Sequence, residues 1–86
     1  MSASMRTRAV ALAFGATLRA HRTAKNVSQD RLAALCDFDR TYPSLMERGL
    51  RSPTLAMVLR LSEALNVEAV AIVADTVARL RDGRPQ

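Results

Sequence analysis

Cysteine occurs once in the 86 residues, as Cys36, which excludes an internal disulfide and any metal cluster built from cysteines. Histidine also occurs once, and His21 has no Cys, Asp or Glu at a repeating ligand spacing, so no metal site is expected. Glycine and proline are sparse, at three each, and β-branched runs are short. No phosphate-cradling glycine loop and no nucleophile–base pairing can be found, so no enzyme and no cofactor are expected. No apolar stretch has the length needed to cross a membrane. The start, MSASMRTRAVALAFGATLRAHR, has the charge and apolar run of a signal peptide, but Gly15, Arg19, His21 and Arg22 break the run too early. A reducing cytoplasm fits the single cysteine.

What is present is leucine, alanine and arginine. This composition favours an all-α fold. Hydrophobic residues make up 49%, enough for a folded core. A single domain this small buries only roughly 60–65% of its unfolded surface, so a partner subunit would help it. The formal net charge is +5, and twelve of the 13 basic residues are arginine. That bias points to a polyanion, and arginine suits bidentate contact with phosphate or guanine.

The chain divides into a loose tail at 1–7, a domain at 8–81 and a frayed end at 82–86. A first helix is expected from Arg8 to His21, with Val10, Phe14 and Leu18 as one apolar stripe. Ser28 caps a second helix, with Val27 as its staple residue, and Leu32, Leu35 and Cys36 face inward. Asp37 stands where helices usually close with Gly and is expected in the left-handed conformation. Asp39 caps a short third helix over 39–48, closed by Gly49. Ser52 or Thr54 caps a fourth, whose shared face is Leu55, Val58, Leu59, Ser62 and Leu65; Asn66 ends it. The fifth covers 68–80.

The third helix carries Arg40, Thr41, Ser44 and Leu45 outward, which suits neither solvent nor core. It does suit a major groove: Arg spans guanine O6 and N7, Thr and Ser reach bases or phosphates, and an apolar chain sits against a thymine methyl. The second helix would cross the backbone with its N-terminus, and Gln29, toward phosphate.

At this point FGATLRAHR, SQDRLAALCDFDRTYPSLMERG and RSPTLAMVLRLSEALNV together resemble the helix-turn-helix domain of small bacterial and phage repressors. These form the lambda-repressor-like (XRE-type) class, which includes the controller proteins of restriction-modification systems. The resemblance covers about residues 12–67 and is carried most specifically by SQ…LA…ERG.R.PTL. It implies a five-helix all-α domain that binds double-stranded DNA and regulates transcription. It implies base contacts from Arg40, Thr41, Ser44 and Leu45. Backbone contacts would come from Gln29, Arg48 and Arg51, and a structural ion pair would join Arg22 to Glu47. Leu32, Cys36 and Met46 take core positions. Pro43 departs from the family's Ile or Val. In mid-helix it would cost ~3 kcal/mol, and in a first turn much less.

The last helix is apolar on more than one face. Val70, Val73, Val77 and Leu80 are the expected homodimer surface, and a dimer would read a near-palindromic operator. The chain is thus expected to be a dimeric repressor. The alternative is a protein-interaction or antitoxin-like module on the same fold, serving a protein partner through the apolar Pro43 and Leu45.

Overall fold

Ala, Met and Arg are good helix formers, and nothing in ASMRTRAVALAF stops an α-helix. In the computed structural model, which describes residues 3–83 with side chains from residue 6, α1 accordingly runs Ala3–Ala24. The helix is longer than the expected 8–21 and starts within the stretch expected as a tail, and residues 1–2 lie outside the described part. The other helices are α2 (Gln29–Cys36), α3 (Tyr42–Glu47), α4 (Leu55–Leu65) and α5 (Ala69–Asp82), giving an all-α, five-helix, lambda-repressor-like arrangement. Gly83 caps α5, and residues 84–86 lie outside the described part.

Local chemistry sets most boundaries. Ser28 Oγ accepts the Arg31 N–H at 3.0 Å, and Thr54 Oγ1 accepts that of Met57 at 3.2 Å. These satisfy helix-end donors that otherwise lack partners. Asp37 and Asn66 close α2 and α4 at φ 56° and 54°, in the left-handed region that short polar side chains tolerate.

The third helix is shorter than the expected 39–48. Arg40 and Thr41 form a turn, and regular helix begins at Tyr42. Pro43 is the reason. At the second helical position its missing N–H is one that would have had no intrahelical partner, so the interior penalty does not arise. Its ring is fully buried and fills part of the core.

The core joins Phe14 and Leu18 of α1, Leu32 and Cys36 of α2, Met46 of α3, Val58, Leu61 and Leu65 of α4, and Ile72 of α5. Four residues of the expected apolar faces are turned out: Val10, Leu35, Leu55 and Leu59 are 39%, 46%, 72% and 49% exposed. Ala33 and Leu61 take the buried places instead. α1 packs along α5 and against α3, and α2 packs against α3 and α4. Two side-chain bonds tie α5 to α1, His21 Nε2 with Asp75 Oδ2 at 2.6 Å and Arg79 Nη1 to Thr17 Oγ1 at 3.2 Å. No helix among the described residues is long and apolar enough to cross a membrane.

Candidate nucleic-acid interface

The α2–turn–α3 unit is held from behind by Glu47, whose side chain is only 4% exposed. Arg22 Nε and Nη2 donate to its two oxygens at 2.5 and 2.9 Å, and Arg22 Nη1 donates to Val27 O at 2.9 Å. The hydrogen bonds from Arg22 to Glu47 push the guanidinium further above its already high pKa, against the opposing effect of burial. Gln29 Nε2 also donates to Glu47, at 3.0 Å. One carboxylate therefore joins the end of α1, the start of α2 and the end of α3. The link from Gln29 to Glu47 has no local sequence signal, because the two residues are 18 apart.

On the other side, α3 is braced against α4. The Tyr42 hydroxyl donates to Met57 Sδ at 2.9 Å, and the Tyr42 ring meets Phe38 edge-on, with centroids 5.2 Å apart. Arg60 lies over Phe38 at 5.9 Å and donates to Cys36 O at 3.3 Å. Sequence reading assigned no role to Phe38, Tyr42 or Arg60. Cys36 is buried, which raises its thiol pKa despite the nearby Arg60, and its Sγ contacts Arg60 O at 3.8 Å.

The outward residues divide into two groups. Arg40 and Thr41 are exposed in the turn that enters α3, while Ser44 and Leu45 are half-buried on α3 itself. Arg40 Nε approaches Asp30 Oδ1 at 3.4 Å with both side chains well exposed, a geometry that contributes little to stability. The Arg40 side chain stays 82% exposed. Arg48 and Arg51 are exposed beyond the end of α3. Pro43 is turned into the core and adds nothing to the outward surface.

Asp39 organises the entrance. Its Oδ1 accepts from Thr41 N at 2.9 Å and from Thr41 Oγ1 at 2.6 Å. The hydroxyl bond first, then the backbone bond, hold the carboxyl below its usual pKa. A folded-state pKa below the unfolded one gives stability that is present above the ordinary Asp range and lost as pH falls through the folded value. The Thr41 amide is therefore expected to lose protection from hydrogen exchange only on the acid side of about pH 4. The Asp39→Asn protein should lack this step. The same step persisting in that variant would assign it to a different carboxylate.

On α5, Val70 and Val73 are 77% and 50% exposed. Val73, Val77 and Leu80 line one wall of an apolar groove of about 350 Å³, whose other side includes Val10, Phe14 and Leu55. Among the described residues, no three of His, Cys, Asp or Glu come together to hold a metal ion.

Residues 13–74 match the family model described as a helix-turn-helix domain. The control protein C.BamHI of Bacillus amyloliquefaciens is 43% identical over 63 residues, covering 72% of this chain and 78% of that protein. The crystal structure of the restriction-modification controller protein C.AhdI from Aeromonas hydrophila superposes with a TM-score of 0.70 at 42% identity, over 72% of this chain and 94% of that one. A hypothetical transcription factor from Neisseria, NHTF, superposes with a TM-score of 0.73 at 30% identity, over 84% and 83% of the two chains.

Proposed function

Because the chain belongs to the XRE-type helix-turn-helix family of transcriptional regulators, we propose that it is a dimeric repressor that binds a near-palindromic DNA operator. The observation that carries the reading is the exposed pair Arg40–Thr41 at the entrance of a short helix braced on both sides. Arg40 reads guanine with its terminal amino groups, and Thr41, Ser44 and Leu45 complete the base contacts. Gln29 at the start of α2, with Arg48 and Arg51, contacts phosphates. Val70, Val73, Val77 and Leu80 meet their counterparts in a second copy, which sets the two reading helices ~34 Å apart along the duplex. The exposure of Val70 and Val73, and the groove beside them, support this surface.

Selection of duplexes from a random pool at moderate salt tests the reading. The wild-type protein is expected to enrich one near-palindrome, with affinity falling steeply as salt rises. Arg40→Ala should lower affinity for that sequence by roughly tenfold and relax the preference at one base pair in each half-site. A pool from which the wild type enriches nothing would overturn the reading.

A further inference from the structure

We propose that Thr41 reads its operator as a hydrogen-bond acceptor, so that the base it faces presents an exocyclic amine, adenine N6 or cytosine N4. The inference rests on the DNA-binding reading above and adds the chemistry of one contact to it. Asp39 Oδ1 lies 2.6 Å from Thr41 Oγ1 and 2.9 Å from Thr41 N. An ionised carboxylate has no proton to give, so the hydroxyl hydrogen of Thr41 must point at Asp39. Thr41 then keeps no free donor, because its amide hydrogen goes to the same oxygen.

What remains on the exposed side chain is the lone-pair side of Oγ1 and a methyl group. Phosphate oxygens, guanine O6 and N7, and thymine O4 are all acceptors and can form no hydrogen bond with it. Adenine N6 and cytosine N4 are donors and can. Turning the hydroxyl toward an uncharged acceptor on a base would exchange a charge-assisted bond for a weaker neutral one. Arg40 has only donors and Thr41 only acceptor capacity, so adjacent residues read opposite chemistry. Asp39 touches no base in this scheme; it is a positioning residue that acts through Thr41.

The test begins with the selected operator and the base pair at which Thr41→Val changes preference. Valine keeps the shape of threonine and removes the oxygen. At that pair, adenine is replaced by purine, or cytosine by 2-pyrimidinone, each of which lacks only the amine. The wild type is expected to lose roughly fivefold in affinity, on the scale of one neutral hydrogen bond. Thr41→Val should lose almost nothing from the same change. Asp39→Ala frees the hydroxyl to donate, so preference at this pair should broaden to bases that present acceptors. Asp39→Asn keeps an accepting oxygen and should keep the wild-type pattern. A merely structural role for Asp39 would weaken all duplexes alike and leave base preference unmoved.

Equal losses in wild type and Thr41→Val on amine removal would overturn the assignment. So would a Thr41→Val protein that binds every sequence uniformly more weakly, the signature of a phosphate contact. A wild type that enriches no sequence at all would instead remove the functional reading underneath, which separates the two failures.

Discussion

Arg22→Ala is expected to lower the unfolding free energy by about 3–5 kcal/mol, the loss typical of stranding one member of a buried ion pair. For 86 residues the whole stability should lie near ~4–13 kcal/mol, so this single change consumes a large part of it. The reason lies in Glu47. Its side chain is 4% exposed, and Arg22 supplies both of its charged hydrogen bonds. Without Arg22 the carboxylate keeps only the Gln29 amide, which carries no charge. The reverse change, Glu47→Ala, should be milder. Arg22 is 12% exposed, retains its bond to Val27 O, and has a long stem with which to reach water. Replacing both by apolar residues of similar size, Arg22→Met with Glu47→Leu, should recover most of the loss. Urea denaturation followed by circular dichroism reads all three. A loss under about 1 kcal/mol for Arg22→Ala, the range of exposed pairs, would mean that water reaches Glu47.

Which features were legible in the sequence follows from how local their causes are. Ser28, Thr54, Asp37 and Asn66 act on backbone groups a few residues away, and each stands where helix-end chemistry places it. Helical stripes were legible as stripes. Which of two overlapping stripes meets a neighbour was not. On α4, 55/58/59/62/65 and 58/61/62/65 are both helical patterns, and α2 and α5 pack on the helix so that the second is buried. The same ambiguity turned Leu35 out and Ala33 in. The cost of Pro43 depended on where the third helix begins, and the sequence reading began it at 39. It begins at Tyr42, which moves Arg40 and Thr41 from a helix into the turn before it. Asp39 was read as a helix cap. That its oxygen also takes the Thr41 hydroxyl depends on a turn geometry that no spacing rule encodes. His21 with Asp75, and Thr17 with Arg79, join residues more than fifty apart and leave no local trace.

Gly15 carries the second large effect, and its sign opposes ordinary helix propensity. In an exposed helix interior, Gly→Ala stabilises by about 1 kcal/mol. Gly15 is buried inside α1, where α1 crosses α3. A Cβ there would lie 2.4 Å from Met46 O and 2.6 Å from Glu47 O. Both are backbone atoms at the end of α3, so no side-chain rotation relieves the clash, and the two helices must move apart. Separation would loosen the fully buried Met46 and pull Glu47 away from Arg22, which is itself on α1. Overpacking alone costs about 1–3 kcal/mol; the coupled loss of packing puts Gly15→Ala at the upper end, and the propensity gain of about 1 kcal/mol offsets part of it. A net loss of about 2 kcal/mol corresponds to a melting temperature lower by roughly 10 °C in a domain of this size. Because α3 shifts against α1 while α2 keeps its cap, binding to the selected operator should weaken even at temperatures where the variant is folded. A Gly15→Ala protein that melts at or above the wild-type temperature would mean that α3 can stand off from α1 freely. The close backbone approach at Gly15 would then not be what sets the position of the turn that enters α3.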